Sequence, residues 1–236
     1  MGARGHGLRT RLNATLGVPQ LPLTDRFGLL SEKQSKYVAN VEGSGQHLLL
    51  LINDLLDLSK VQAGKMVIAI EAIGLHPVLQ ESAAKMAELA EAKGLRLELS
   101  GETDLVVLAD PLRLNQILLN LLSNAIKFTD IGLIRTVASA AGDEVRVDVI
   151  DTGVGIDAED LERMFEEFTQ AKTGRSKSAQ GTGLGLPISR RLAELMGGRI
   201  DVASTGGVGT TFSLYLPAGL PGEVGTSGQR VVAGAG

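Results

Sequence analysis

Four short segments in the second half of the chain, in a fixed order, constrain its fold more than any other feature. The first is a helix-forming run at 115–128 that carries polar side chains on an apolar background. A strand end with a glycine turn follows at 151–156, then two phenylalanines at 165 and 168, and then a glycine-rich loop at 181–186. In this order the segments offer amide groups, a carboxylate and closely approaching backbone N–H groups. Those are the groups that one bound nucleotide requires.

The polar side chains of the first segment share one face of a predicted helix, which begins at Pro111 with Asp110 as its N-cap. Asn120, Asn124 and Lys127 are four and three residues apart and therefore project from the same side. An amide oxygen is a suitable ligand for Mg²⁺, which keeps its water and phosphate ligands. The alternative is a polar stripe that only faces solvent.

Asp151 stands at the end of a predicted strand over 145–150, shortly before Gly153 and Gly155. This places a carboxylate beside a tight turn, where it can accept a hydrogen bond from the exocyclic amine of adenine. The alternative is an ordinary Asp-Thr-Gly turn, because turns of that composition are abundant.

Three glycines, Gly181, Gly183 and Gly185, lead directly into Pro187 and a predicted helix over 187–196. Glycine lets backbone N–H groups approach a phosphate closely, and the N-terminus of a helix adds partial positive charge. The spacing differs from the dinucleotide fingerprint, and the Gly-Lys-Ser/Thr of a Walker A loop is missing. The loop is therefore a candidate phosphate cradle, although this glycine spacing alone is not specific.

Together these segments resemble the N, G1, F and G2 boxes of the ATP-binding domain of sensor histidine kinases, whose superfamily also holds gyrase and a heat-shock chaperone ATPase. The resemblance implies that Asn124 binds Mg²⁺, that Asn120 orients the water ligands, and that Lys127 approaches the phosphates. It gives Asp151 the contact to the adenine amine, which favours adenine over guanine because guanine has a carbonyl there. The remaining ATP contacts are implied for Gly153, Gly155, Phe165, Phe168, Gly181, Gly183, Leu184 and Gly185.

The polar stretch between Phe168 and Gly181 corresponds in this family to a mobile lid over the ATP, with the two phenylalanines anchoring its near end. It carries Lys172, Arg175 and Lys177, whose charges could close over the triphosphate. The alternative is a charged loop that is simply solvated, with phenylalanines that are ordinary core aromatics.

Near the N-terminus, residues 6–13 resemble the phosphoacceptor box of the same family, and 44–60 resemble the second helix of its dimerisation domain. The resemblance thus covers about 4–217, and within the family it is closest to the hybrid sensor kinases. It implies that His6 is the nucleophile, whose neutral imidazole nitrogen attacks the γ-phosphoryl group of ATP. It also implies a homodimer, and transfer of the phosphoryl group to an aspartate on a separate response-regulator receiver domain.

The phosphoacceptor segment departs from the family pattern at four positions. Gly7 stands where the family usually has an acidic residue that orients the histidine and accepts its proton, and such help is typically worth about 10²–10⁴-fold. Arg11 replaces a proline. Pro19 and Pro22 fall where the first helix should continue, and each would cost about 3 kcal/mol in a helix interior. We therefore expect a first helix that is broken or ends early, and autophosphorylation that is slow or absent.

Composition excludes several other classes of function. The chain has 236 residues, 44% of them hydrophobic, which suits one or two soluble globular domains. A formal net charge of -4 provides no basic surface for nucleic acid or an anionic membrane, and the lack of cysteine excludes disulfides and thiol catalysis. The longest apolar run, 48–52, falls well short of the roughly 18 residues that span a bilayer. We expect no transmembrane segment in this chain and a cytoplasmic location.

We predict two domains and a tail, in the α+β class. One long helix is predicted over about 30–64, because six residues repeat at the spacing of a coiled-coil seam: Val38, Val41, Gly45, Leu48, Ile52 and Leu55. The family resemblance implies that this helix is half of a helical hairpin in 1–64, which dimerises as a four-helix bundle. An amphipathic helix packed in its own core is the alternative. Alternating strands and helices over 65–217 predict an α/β sandwich with a mixed sheet and one layer of helices, the histidine-kinase-like ATP-binding domain. The Gly-rich stretch 218–236 lacks periodicity and is expected to be disordered.

The leading hypothesis is an ATP-dependent protein-histidine kinase of a two-component phosphorelay. The main alternative is a binding module, a degenerate kinase that holds ATP and dimerises or binds a regulator without phosphorylating itself, which the departures near His6 favour. A third class, an ATPase clamp like gyrase or the chaperone, would need an acidic residue at Asn120 to activate water, and the asparagine argues against it.

Overall fold

The computed structural model describes residues 31–169, 182–220 and 227–232. The chain divides into two compact units, residues 1–60 and residues 61–236. His6 and the first helix of the predicted hairpin lie outside the described residues.

The long predicted helix is present as α1, Glu32–Gln62. It begins there because Ser31 and Gln34 form a reciprocal cap, in which Ser31 N donates to Gln34 Oε1 (2.9 Å) and Gln34 N donates to Ser31 Oγ (3.4 Å). Gly64 adopts a left-handed conformation with φ of 61° just beyond its end, which is a common stop for a helix. In the single chain, the side chains of Val41 and Leu55 on the coiled-coil seam are 69% and 51% exposed. These two seam residues of α1 therefore present apolar surface to solvent.

The second unit contains a five-stranded mixed sheet. Its strands are β2 Arg96–Gly101, β4 Leu133–Ala141, β5 Glu144–Asp151, β6 Arg199–Thr205 and β7 Gly209–Pro217. They lie in the order β2-β4-β5-β7-β6, in which β2 and β4 run parallel and the other neighbouring pairs are antiparallel. The helices are α2 Leu75–Ala92, α3 Pro111–Phe128, α4 Ala158–Leu161 and α5 Gly185–Leu195. The predicted α/β sandwich with a mixed sheet is confirmed, whereas the short helix α4 was not expected.

The core lies between the helices and one face of this sheet. Every second residue of β5, from Val145 to Asp151, is buried, as strand alternation requires. The facing helix α3 buries one apolar stripe, made of Leu114, Ile117, Leu118, Leu121, Leu122, Ala125 and Ile126. Burial of each large side chain contributes about 1.5–3 kcal/mol, so this stripe fixes how α3 lies on the sheet. The polar side of α3 is left pointing away from the apolar core.

Both ends of α3 are held by charged side chains. Asp110 Oδ1 accepts hydrogen bonds from Leu112 N (3.0 Å) and Arg113 N (3.2 Å), as the predicted N-cap should. At the other end, Lys93 Nζ donates to the carbonyl oxygens of Ile126 (2.9 Å), Lys127 (3.0 Å) and Thr129 (3.3 Å). A cation at the C-terminus of a helix is favourable for both the carbonyls and the helix dipole. The helix that carries the candidate polar groups is therefore anchored at both ends.

A second, three-stranded sheet has the order β3-β1-β8, in which β1 is Val67–Gly74, β3 is Val106–Ala109 and β8 is Ser227–Val232. The prediction of a disordered tail over 218–236 is wrong for β8, which pairs with β1 in antiparallel register, Val232 opposite Val67. Strand β1 would otherwise leave one edge with unpaired backbone groups, and an edge of this kind accepts a further strand. In the described part of the chain, no helix has the length and apolar character needed to cross a membrane.

Candidate nucleotide-binding site

Asn120 and Asn124 lie on the polar face of α3, half-buried against the start of α5. Asn120 Nδ2 donates a hydrogen bond to Ser189 Oγ (2.9 Å), and Asn124 Nδ2 donates a longer one to Asn120 Oδ1 (3.5 Å). These two amides are therefore tied to each other and to α5, instead of forming a stripe that only faces solvent. Sequence reasoning missed Ser189, whose hydroxyl is recognisable only once α3 and α5 are packed together.

Lys127 completes this face of α3. Its ammonium group lies 4.9 Å from the centre of the Phe128 ring, and no described carboxylate forms an ion pair with it. Partial burial lowers the pKa of Lys127, because removal from water disfavours the charged form. An anionic group bound nearby would compensate for that loss of hydration. The side chain is therefore suited to a phosphate.

Asp151 is buried at the C-terminal end of β5, with 6% of its surface exposed. Its Oδ1 accepts a hydrogen bond from Gly153 N (2.8 Å). Burial raises the pKa of Asp151, and hydrogen bonds from the backbone of Gly153 and Thr210 oppose that rise. The structure therefore keeps a carboxylate in a poorly hydrated position, where one more hydrogen-bond donor would stabilise its charge.

The turn after Asp151 packs tightly against the end of α3. Val154 N donates to the carbonyl oxygen of Phe128 (3.1 Å). A Cβ atom at Gly153 would clash with that same oxygen and lie 2.8 Å from Asp151 Oδ1. Gly155 has a φ of 67°, a conformation that glycine adopts readily. The absence of a side chain at Gly153 thus lets the turn after β5 pack on the C-terminal end of α3.

The two ends of the predicted lid lie together. Residues 170–181, which include the three cations of the lid and Gly181, fall outside the described residues. Phe168 N donates to the carbonyl oxygen of Gly183 (3.0 Å), and both residues have a positive φ, of 61° and 68°. Phe168 is 63% exposed, so it is not a core aromatic, whereas Phe165 is half-buried with the Arg190 guanidinium 5.0 Å from its ring. Leu184 is fully buried and fixes the start of α5.

Replacing Gly183 with alanine should separate these two ends. A Cβ atom there would lie 2.8 Å from the carbonyl carbon of Phe168, and the φ of 68° is strained for alanine. Gly142 in the β4–β5 turn has the same φ of 68° but has nothing within 4 Å of a Cβ, so it is a matched control. Each substitution should lower the free energy of unfolding by about 1–2 kcal/mol, because alanine is strained in the left-handed conformation.

Of the two variants, only Gly183→Ala should also weaken nucleotide binding. The loss should be roughly tenfold or more if the contact between Phe168 and Gly183 contributes about 1.4 kcal/mol. The measurement is urea unfolding and fluorescent-nucleotide titration of both variants. Equal nucleotide affinity in the two variants would mean that the junction of Phe168 and Gly183 does not shape the site.

The donor set fits a nucleotide with a magnesium ion. Among the described residues, no group of three or more His, Cys, Asp or Glu side chains could hold a metal by itself. A cation at this site would instead use an amide oxygen together with phosphate and water oxygens, which are the ligands that Mg²⁺ prefers. The half-buried ammonium group of Lys127 suits a phosphate. The buried carboxylate of Asp151 suits a hydrogen-bond donor.

Comparisons with known proteins point to one family. The family model for the "Histidine kinase-, DNA gyrase B-, and HSP90-like ATPase" matches residues 109–220, and the model for the "His Kinase A (phospho-acceptor) domain" matches residues 5–64. The two matched regions follow one another without overlap, and together they include the helix α1, the polar face of α3 and the glycine turns.

Two curated relatives and one solved structure are similar over most of this chain. The non-motile and phage-resistance protein of Caulobacter vibrioides is 42% identical over 90% of this chain and 26% of its own length. The circadian input-output histidine kinase CikA of Synechococcus elongatus is 38% identical over 92% of this chain and 29% of its own length. The crystal structure of full-length ShkA in complex with AMPPNP superimposes with a TM-score of 0.76 at 35% identity, over 92% of this chain and 45% of that one.

The chain spans between a quarter and a third of the length of these two curated relatives. The matched families, the relatives and the fold agree with the resemblance seen in the sequence, including its likeness to the hybrid kinases. The chain therefore belongs to the sensor histidine kinases of two-component signalling, with a phosphoacceptor-type domain followed by an ATPase-type domain.

Proposed function

We propose that this chain is the catalytic core of an ATP-dependent protein-histidine kinase, which phosphorylates His6 and passes the phosphoryl group to the aspartate of a response-regulator receiver domain. The observation that carries the proposal is the packing around α3. The turn after Asp151 packs on the C-terminal end of α3, and Asn120 of α3 contacts Ser189 near the start of α5. ShkA, which has the same fold, binds AMPPNP, an analogue of ATP.

Within this proposal each described side chain has one task. Asp151 accepts a hydrogen bond from the exocyclic amine of adenine, and its ionised form is favoured when that donor arrives. Lys127 lies half-buried and offers its ammonium group to the phosphates, while the backbone at Gly183 and Gly185 approaches them closely. Asn124 and Asn120 would hold the magnesium ion and its water ligands. Mg²⁺, when bound, neutralises charge on the phosphate oxygens.

The group transfer itself is proposed for His6. Its neutral imidazole nitrogen attacks the γ-phosphorus, so that a nitrogen–phosphorus bond forms while the phosphorus–oxygen bond to the ADP leaving group breaks. The proton of the imidazole must then pass to a base. The residue after His6 is Gly7, so the chain offers no carboxylate at that position to accept the proton. Phosphohistidine formation is therefore expected to be slow.

The proposed homodimer rests on α1. Four of its apolar seam residues are between 38% and 69% exposed in the single chain: Val38, Val41, Leu48 and Leu55. Apolar residues at this spacing are normally buried against a second helix. The domain limits 1–64 and 65–217 and the cytoplasmic location remain predictions of the same proposal.

A second candidate function is the degenerate kinase, which binds ATP and a regulator without phosphorylating itself. The specific observation in its favour is Gly7, together with the two prolines expected within the first helix, Pro19 and Pro22. Both candidates share the nucleotide site, so they differ only in what happens at His6.

Both candidate functions require the nucleotide site. It is tested by a competition titration of ATP and GTP against a fluorescent ATP analogue, with Mg²⁺ present. We expect ATP to bind and GTP to bind roughly ten- to a hundredfold more weakly, because guanine would place a carbonyl against the Asp151 carboxylate at a cost of about 1.4–3 kcal/mol. Equal affinities for the two nucleotides would contradict the role of Asp151. A chain that binds neither would contradict both candidate functions.

A further inference from the structure

Ser189 is a buried hydroxyl in contact with the amide pair of the site. It lies on the first turns of α5, only 2% of its surface is exposed, and its Oγ accepts a hydrogen bond from Asn120 Nδ2 at 2.9 Å. Burial of a hydroxyl is unfavourable unless it forms hydrogen bonds, so its partner matters. The sequence motifs that identify the family give this serine no role.

The hydrogen bonds of this group run in one direction. Asn124 Nδ2 donates to Asn120 Oδ1, and Asn120 Nδ2 donates to Ser189 Oγ. An asparagine amide has one accepting oxygen and one donating nitrogen, so the orientation of each amide determines that of the next. The oxygen of Asn124 is thereby left on the side of the amide that does not face Asn120.

Asn120 has little room to take another position. Its Oδ1 lies against the α-carbon of Gly185, where a Cβ atom would clash with that oxygen and lie 3.0 Å from Asn120 Cγ. The Ser189 hydroxyl on one side and Gly185 on the other therefore hold the amide of Asn120 in place.

The position of Asn124 matters for a cation. Mg²⁺ is bound by oxygen ligands, and an amide oxygen must be held at the right place to serve as one. A partner that positions a metal ligand typically contributes about 10- to 100-fold to metal affinity. Ser189 is the group on α5 that holds Asn120, and Asn120 in turn contacts Asn124.

We propose that Ser189 is a positioning residue for magnesium-dependent nucleotide binding, because its hydroxyl holds the amide of Asn120, which in turn contacts the proposed cation ligand Asn124. The proposal rests on the proposed function, in which Asn124 holds the magnesium ion. It adds a residue on α5 to a cation site whose other protein groups lie on α3.

The test compares Ser189→Ala with Ser82→Ala. Ser82 is a matched control because it is also fully buried, and its Oγ lies 3.2 Å from the Oδ1 of Asn115, another asparagine of α3. ATP affinity is measured by titration at a series of Mg²⁺ concentrations and in EDTA. For Ser189→Ala we expect the half-saturating Mg²⁺ concentration to rise roughly tenfold, with unchanged ATP affinity in EDTA. Ser82→Ala should change neither quantity.

A second readout needs neither nucleotide nor metal. The side-chain NH₂ resonances of Asn120 and Asn124 should shift in Ser189→Ala and stay in place in Ser82→Ala. If Ser189→Ala keeps the wild-type dependence on Mg²⁺, or loses ATP affinity equally in Mg²⁺ and in EDTA, the positioning role is wrong while the proposed function stands. A wild-type chain that binds no ATP would instead overturn the proposed function and, with it, this role for Ser189.

Discussion

Asp151→Asn is expected to lower the affinity for ATP roughly 10- to 100-fold, because a hydrogen bond to a charged group is worth about 1.5–3 kcal/mol and each 1.4 kcal/mol is a factor of ten. The carboxylate offers only acceptors to the adenine amine, whereas an asparagine held by Gly153 N at its oxygen would turn its NH₂ group towards that amine. Two donors would then face each other. The measurement is a titration of the variant with ATP at neutral pH.

The same substitution should leave the fold intact or make it more stable at neutral pH. Burial raises the pKa of Asp151 above its ordinary value, so the folded protein holds this proton more tightly than the unfolded chain. The contribution of Asp151 to the free energy of unfolding is therefore fully present below the ordinary carboxyl pKa. It is lost as the pH rises through the raised pKa of the folded protein. Urea unfolding across this pH range should show that dependence in the wild type and lack it in Asp151→Asn.

Asp148→Asn is the matched control for the strand. Asp148 lies three residues earlier on β5 and therefore on its opposite face, where it pairs with Arg146 Nε (2.7 Å) and accepts from Ser213 Oγ (2.6 Å). This variant should bind ATP as the wild type does. If Asp151→Asn also binds ATP with wild-type affinity, the adenine contact has been assigned to the wrong residue.

Gly7→Glu is expected to raise the rate of phosphohistidine formation by about 10²–10⁴-fold, the usual value of general-base assistance. The glutamate would stand directly after His6, where it can orient the imidazole ring and accept its proton during attack on the γ-phosphorus. The measurement is the initial rate of acid-labile phosphate incorporation from ATP.

Gly5→Glu is the control for this gain, because it adds the same charge on the other side of His6. It should not increase the rate. If Gly7→Glu also fails to increase it, the missing base is not the main defect. An interruption of the first helix, which Pro19 and Pro22 predict, would then be the stronger explanation.

The parts of the fold that follow from local sequence were predicted well. Helix α3 begins at Pro111 and ends at Phe128 as expected, because its cap, its first-turn proline and its apolar stripe all lie within the helix itself. Strand β5 likewise agrees with its alternating pattern. Such signals need no knowledge of distant residues.

Features that depend on contacts between distant segments were not predicted. Strand β8 exists because an edge of β1 is available, and nothing in a Gly-rich tail indicates that partner. The contact of Phe168 with Gly183 and the hydrogen bond of Ser189 to Asn120 join residues that the fold alone brings together. The motifs therefore indicated candidate residues for the site, and the packing of α5 on α3 shows how Asn120 is held.

The most direct test of the central claim is incorporation of phosphate from γ-labelled ATP and Mg²⁺ into the purified chain, compared with His6→Gln, and with His47→Gln and His76→Gln as controls for the other histidines. The account predicts slow, acid-labile labelling that His6→Gln abolishes and the two controls retain. Labelling that survives His6→Gln, or a chain that binds ATP and never becomes labelled, would contradict it, and the second result would favour the degenerate kinase.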